Sequence, residues 1–242
     1  MSLAAFGLQL IPHMLASSIQ LAEAGAAGRR AVGVAGRIHV VDDDPSFLTA
    51  IERRLRHAGY EVATYATAQH LLDNLPTDTK ASCLLIDVGM PDLDGPALQQ
   101  RLGELGSTLP IIFLTAYADT ALVVKTLKAG AFDFLVKPVA SDDLLHAVWK
   151  ALRHQQAYRV RESRLDDIRD RVAKLTPRER QVFDLTIRGN TNKKMARELG
   201  TSERTVKAHR QKVMEKMQAR TLAELVSLAE RVGIVSDDGQ TS

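Results

Sequence analysis

The sequence predicts an α/β fold, a doubly wound parallel sheet of five strands, followed by an all-α domain of four helices. Three observations carry that expectation. From residue 37 onward, five short apolar runs alternate with longer segments of helical period, the pattern of a parallel sheet covered on both faces. The third and fourth runs, 81–86 and 111–115, are almost wholly apolar, as strands buried on both sides are. After Leu175 no strand-like run remains, and only helix-period segments follow.

Strands are expected at 37–41, 61–65, 81–86, 111–115 and 132–136, with helices at 45–58, 68–75, 97–105, 120–129 and 142–151. Pro45 suits a first helical turn, Gly59 and Gly130 suit helix ends, and Ser141 suits the cap of the fifth helix. Residues 155–173 turn to Arg, Asp and Glu with widely spaced apolar residues and contain neither Pro nor Gly, which predicts a helical connector rather than a floppy tether. The last four helices are expected at 177–187, 192–199, 202–217 and 222–232. The boundaries that follow are an extension over 1–36, an α/β domain over 37–153, a linker over 154–170, an all-α domain over 171–236 and a tail over 237–242.

Composition narrows the classes. With 45% apolar and 25% charged residues among 242, the chain has the material for real cores. The net charge of +3 hides an asymmetry, because residues 171–220 carry 14 Lys/Arg against 5 Asp/Glu and the remainder is net acidic. One half is suited to a polyanion. The single cysteine, Cys83, lies in an apolar run, can form no intramolecular disulfide, and reads as a small buried hydrophobe in a reducing compartment. The most apolar stretch, 3–15, is broken by Gln9, Pro12 and His13, too short to span a membrane. It also lacks the basic start of a secretory signal, the first arginine being Arg29. Residues 1–36 are expected to be a poorly ordered Ala/Gly-rich extension. The alternative is that synthesis begins near Val32 or Val34, which intact-mass measurement of the native protein decides.

In an open parallel sheet, ligands bind beyond the carboxyl ends of the strands. Here strand one ends in Asp42-Asp43-Asp44, strand three in Asp87, strand four in Thr115, and strand five runs into Lys137-Pro138. Crowded carboxylates repel one another unless protons or a hard cation neutralise them. Mg²⁺ prefers such oxygen ligands and commonly works with carboxylates plus a phosphate. A carboxylate there can attack phosphorus to give an aspartyl phosphate, with Thr115 donating to a phosphoryl oxygen and Lys137 balancing its charge. Singly, Asp42–Asp44 also reads as a helix cap and Asp87 as a turn residue. Their joint arrival at four different strand ends favours phosphoryl transfer.

The segments Val40-Val41-Asp42-Asp43-Asp44, Leu84-Leu85-Ile86-Asp87-Val88-Gly89-Met90-Pro91-Asp92-Leu93-Asp94-Gly95, Ile112-Phe113-Leu114-Thr115-Ala116 and Phe134-Leu135-Val136-Lys137-Pro138 resemble the signature segments of receiver domains, over about residues 37–153. The resemblance implies a flavodoxin-like strand order 2-1-3-4-5. It implies that Asp87 accepts phosphate from a histidine kinase. Asp43 and Asp87 would bind Mg²⁺ with the Gly89 carbonyl, and Asp42 would help, partly through water. Lys137 would pair with the phosphoryl group. Thr115 would move toward the phosphate and Phe134 would swing inward behind it, and the Lys137-Pro138 bond would be cis. Gly89 departs from relatives that carry a polar side chain there, which bears on how fast phosphate is lost.

In the all-α half, Thr176 with Glu179 reads as a capping box before Pro177, and Gly189 ends that helix. Met195, Ala196 and Leu199 give the next, short helix one buried stripe. Gly200 and Thr201 turn the chain, Ser202 can cap the following helix, and Val206, Val213 and Met217 share one face of it. Two helices joined by a tight turn, the second one basic, form the helix-turn-helix pattern, whose second helix fits the major groove of DNA. The plainer reading is a solvated bundle whose charges serve solubility, and the local charge excess argues against it. Leu175-Thr176-Pro177-Arg178-Glu179-Arg180-Gln181-Val182 and Thr205-Val206-Lys207-Ala208-His209-Arg210 resemble the LuxR-type helix-turn-helix of FixJ/NarL regulators, over about 171–236. By position, Lys207, Ala208 and Gln211 would face bases, while Asn192, Lys193, Thr205 and Arg210 would meet the phosphate backbone. Met195 stands where relatives carry Ile or Val.

The resemblance implies a two-component response regulator, not an enzyme beyond its own phosphoryl transfer and dephosphorylation. Its partners would be a sensor histidine kinase, double-stranded promoter DNA, a second copy of the chain on phosphorylation, and RNA polymerase, all in the cytoplasm without a membrane. Three rivals differ in kind. A phosphatase using an aspartyl phosphate would commonly carry an acid where Gly89 stands; a phosphate-independent regulator would ignore loss of Asp87; and an RNA-binding protein would retain RNA and duplex DNA equally.

Overall fold

The computed structural model describes residues 36–76, 80–116 and 120–234. The elements run β1 (Gly36–Val41), α1 (Pro45–His57), β2 (Glu61–Tyr65), α2 (Ala68–Asp73), β3 (Ala81–Asp87), α3 (Gly95–Glu104), β4 (Ile111–Thr115), α4 (Thr120–Lys128), β5 (Asp133–Val136), α5 (Ser141–Ala173), α6 (Pro177–Ile187), α7 (Asn192–Glu198), α8 (Glu203–Met217) and α9 (Leu222–Arg231). The strands form one parallel sheet in the order β2-β1-β3-β4-β5, as anticipated. The expected N-terminal extension, Gly36 apart, and the expected tail at 237–242 lie outside the described residues.

Alternation along the strands builds two cores from one sheet. On β3, Cys83 and Leu85 point to one face and Leu84 and Ile86 to the other, because successive side chains of a strand project oppositely. The first face packs on Leu48, Ile51 and Leu55 of α1 and on Leu144, Val148 and Leu152 of α5. The second packs on Leu71 of α2 and on Leu98 and Leu102 of α3. All seven residues of β3 are buried, which is why its sequence shows no polar alternation. Full burial pushes the Cys83 thiol up to about 12, so it stays protonated and unreactive near neutral pH.

Close approaches explain two glycines. A Cβ on Gly36 would stand 2.8 Å from Leu152 Cδ2 and 2.9 Å from the Ala81 carbonyl oxygen, so Gly36 belongs to β1 rather than to the extension expected before it. At Gly95 a Cβ would meet the Asp87 carbonyl oxygen at 2.6 Å and Phe113 Cε1 at 2.9 Å. Only a glycine lets α3 start this close to the end of β3. Asp94 caps α3 by accepting from the Ala97 N–H, so the helix begins two residues before the expected 97.

The helix expected at 142–151 and the connector after it are one element, the 33-residue α5, roughly 50 Å long. Ser141 does not cap it. The cap position is Ala140, with no side-chain hydrogen bond, and Asp142 and Asp143 instead favour the first turn through the helix dipole. Leu144–Leu152 belong to the sheet core, whereas Ile168 and Val172 belong to the core of the helical half. None of residues 156–167 between them is buried.

In the helical half, Phe183, Ile187, Val213, Met217 and Leu225 surround the end of α5. Val182, Leu185, Met195, Ala196 and Val206 join α6, α7 and α8. The capping box of Thr176 and Glu179 is present in both directions, and Thr191 and Ser202 cap α7 and α8. Among the described residues no helix is long and apolar enough to cross a membrane.

Candidate functional sites: an acidic pocket and a basic helix

Strand register delivers the predicted acidic residues to one crevice. Asp42 follows β1 directly, its N–H donating to the Tyr65 carbonyl at 3.1 Å, and Asp87 is the last residue of β3. Lys137 follows β5, its N–H donating to the Thr115 carbonyl at 2.6 Å, and the Lys137-Pro138 bond is cis as anticipated. The Lys137 ammonium lies 2.5 Å from Asp42 Oδ2 and 2.6 Å from Asp87 Oδ1. Asp42 is 1% exposed and Asp87 7%. The second Asp87 oxygen accepts the Gly89 N–H at 2.8 Å, and Asp42 Oδ1 accepts the Asp44 N–H at 3.0 Å. One cation thus bridges two buried carboxylates at the ends of neighbouring strands.

The run 42–47 divides its labour. Asp42 is buried against Lys137, Asp43 is exposed, and Asp44 caps α1 by accepting from the Ser46 and Phe47 N–H groups. The capping role weighed for this run therefore falls to Asp44 alone. Burial pushes the Asp42 carboxyl above the usual aspartate range, against the lowering effect of Lys137 and the Asp44 N–H. Burial works against the Lys137 ammonium, but its hydrogen bonds to Asp42 and Asp87 outweigh burial and hold its pKa above that of an ordinary lysine.

The donor set suits a hard divalent ion. It consists of carboxylate and carbonyl oxygens, and the missing side chain at Gly89 leaves ordinary van der Waals clearance, a Cβ there standing 3.6 Å from Asp87 Oδ2. Among the described residues no three His, Cys, Asp or Glu side chains form a finished metal cage. Magnesium does not require one, since it retains several waters and takes one or two protein carboxylates. Thr115 is buried at the end of β4, and Phe134 on β5 is half-buried, 6.3 Å from the Phe113 ring.

The second site is the exposed side of α7 and α8. Val206, Val213 and Met217 turn inward, leaving Thr205, Lys207, Ala208 and Gln211 exposed on α8, and Lys193 is exposed on α7. Arg210 Nη1 donates to Asn192 Oδ1 at 3.2 Å, which joins two of the predicted phosphate-facing residues across the turn. The Thr205 and Ser202 hydroxyls share a hydrogen bond of 2.8 Å at the start of α8, and Gln211 Nε2 donates to Glu215 at 3.0 Å.

Residues 38–149 match the response regulator receiver domain, and residues 173–229 match the bacterial regulatory proteins of the luxR family. The transcriptional regulatory protein FixJ of Bradyrhizobium diazoefficiens is 42% identical over 202 residues, covering 84% of this chain and 98% of that one. The chain belongs to the FixJ-type response regulators. The response regulator protein TodT of Pseudomonas putida is 36% identical over 195 residues, 81% of this chain and 86% of its own. The solved structure of the response regulator StyR, 39% identical, superposes with a TM-score of 0.73 over 81% of this chain and 99% of that one.

Several contacts of this response regulator have no counterpart in any sequence motif. Arg178 Nη2 donates to the Leu199 carbonyl at 2.7 Å, tying the start of α6 to the turn before α8. Arg171 donates to the Met217 carbonyl at 3.3 Å, and Lys216 donates to the Lys174 carbonyl at 3.1 Å and to Glu179 at 2.6 Å. These bonds fasten the far end of α8 to the end of α5 and the start of α6. Such long-range bonds leave no periodic signal in a sequence.

The Lys216 ammonium and the Thr176 N–H hold the Glu179 carboxyl at about 2, well below the usual 4.5. A depressed carboxylate stabilises the fold above its unfolded value, and that contribution disappears as pH falls from about 4.5 toward 2. Glu179→Gln is expected to destabilise the helical half by about 1 kcal/mol at neutral pH. The gap from wild type should close through that acid window, as denaturant titrations at stepped pH will read.

Proposed function

We propose that this response regulator is a phosphorylation-dependent transcriptional regulator in which Asp87 accepts a phosphoryl group from a histidine kinase. The observation that carries the reading is the Lys137 ammonium bridging Asp42 and Asp87. In the step, an Asp87 carboxylate oxygen forms a bond to phosphorus while the bond from phosphorus to nitrogen of the kinase's ring-protonated phosphoimidazole breaks. The bonding pair stays on that nitrogen, leaving a neutral imidazole and an aspartyl phosphate. Asp42, Asp43, Asp87 and the Gly89 carbonyl would hold Mg²⁺, which when bound offsets the crowded negative charge. Lys137 balances the added phosphoryl charge, and the buried Thr115 hydroxyl donates to a phosphoryl oxygen. The same residues serve the later hydrolysis that returns Asp87 to the carboxylate, so the chain catalyses its own gain and loss of phosphate.

Phosphate favours a conformation with Thr115 and Phe134 turned inward, a population shift between two packings. The half-buried setting of Phe134 supports this role. Exposed apolar side chains at Val124 and Leu127 of α4 and Val136 of β5 support a homodimer through that side of the domain. The functional boundaries are a receiver over 37–153, a linker over 154–170 and a DNA-binding domain over 171–236. Lys207, Ala208 and Gln211 read bases in promoter DNA. Asn192, Lys193, Thr205 and Arg210 meet its phosphates, and the bound dimer acts on RNA polymerase in the cytoplasm.

Mass spectrometry of the full chain after incubation with Mg²⁺ and acetyl phosphate tests the core of this reading, which requires a phosphoryl group mapped to Asp87. Lys207→Ala tests the output. It is expected to weaken binding to the specific site by about tenfold, a loss of ~1–3 kcal/mol for a base contact, with phosphoryl uptake unchanged. Binding curves on specific and scrambled duplexes check this, and an undiminished preference rejects the base-reading role.

A further inference from the structure

Lys137 makes a third contact that no carboxylate supplies. Its ammonium lies 4.1 Å from the centroid of the Phe47 ring. Phe47 is half-buried and packs against the α1 side of the sheet core, and its N–H is one of the two that Asp44 accepts at the helix cap. The first turn of α1 thus carries the ring that faces the Lys137 ammonium. We infer that Phe47 is a positioning residue for phosphoryl transfer, holding the Lys137 ammonium over the pocket through the face of its ring.

A lysine stem has four rotatable bonds, and ordering it is entropically expensive. Of the three contacts described for the ammonium, those to Asp42 and Asp87 change during the reaction cycle. Asp87 becomes an acyl phosphate, and both carboxylates are claimed by the cation proposed for the pocket. The ring is chemically the same before and after transfer. It keeps the ammonium in position while its carboxylate partners are occupied elsewhere. An aliphatic side chain of similar size fills the same space but has no electron-rich face to offer a cation.

This inference rests on the assignment of Asp87 as phosphoryl acceptor, and its test separates the two. The full chain is incubated with Mg²⁺ and acetyl phosphate, and the rate of phosphoryl gain at Asp87 is followed by mass spectrometry for wild type, Phe47→Leu and Phe47→Tyr. A further series carries phenylalanine with increasing ring fluorination at position 47, which drains the face of electron density with little change in volume. The expected result is a rate about fivefold lower for Phe47→Leu and close to wild type for Phe47→Tyr. The fluorinated chains should slow in the order of fluorine content, a trend that a merely structural role would not produce. Equal rates across the fluorinated series, with normal phosphorylation of wild type, overturn the role of Phe47 and leave Asp87 as the acceptor. A wild-type chain that gains no phosphoryl group overturns both.

Discussion

Asp87→Asn is expected to fold as the wild type does and to gain no phosphoryl group. The amide keeps the shape of the carboxylate and can still accept the Gly89 N–H, which the native Oδ2 accepts at 2.8 Å. Its nitrogen lone pair is delocalised, and neither amide atom approaches a carboxylate oxygen as a nucleophile toward phosphorus. Lys137 retains Asp42 at 2.5 Å, so the ammonium is not left unpaired in a buried site. The rate of phosphoryl gain should fall by at least ~10³-fold, the scale of removing a nucleophile outright. Denaturation curves of the two proteins should nearly coincide. Peptide mapping is the decisive measurement: a phosphoryl group found on Asp42 or Asp43 in the variant would show that the acceptor had been misassigned.

Phe183→Ala should unfold one half of the molecule and spare the other. Phe183 is fully buried among Ile168, Val172, Val213, Met217 and Leu225, a cluster that shares no residue with the two cores of the sheet. Truncating a buried phenylalanine to alanine costs about 3–5 kcal/mol, a large share of what a domain of this size possesses. Wild type and variant should give the same receiver transition and the same phosphoryl uptake at Asp87. The variant should lose retention on promoter DNA together with the helical signal of its C-terminal half. A single transition that shifts as a whole would instead mean that the cores melt as one unit.

Much of this architecture is legible in the sequence because burial writes itself into residue type. β3 and β4 announce themselves through almost wholly apolar runs, and the acids at strand ends stand out because each closes an apolar run. The capping box at Thr176 and the turn at Gly200 are equally plain, since each needs particular residues at particular spacings. Other elements escape for physical reasons. Ser141 looks like a cap, yet the helix begins with it, because Ala140 already adopts the extended backbone of a cap position and two following aspartates favour the first turn. The length of α5 is hidden because its solvated middle has no apolar stripe to mark it as one element. Phe47 carries the same sequence signal as a core residue, and only its 4.1 Å approach to Lys137 distinguishes it.

An unbroken helix transmits rotation as faithfully as distance. Because α5 is anchored in a separate core at each end, adding or removing one residue within 156–167 would swing everything beyond it through roughly 100° while moving it only about 1.5 Å along the axis. A change of seven residues would bring it back close to its starting bearing. The number of residues in that solvated span is thus a setting of angular phase, by which the sheet domain fixes the compass direction in which the basic helix faces.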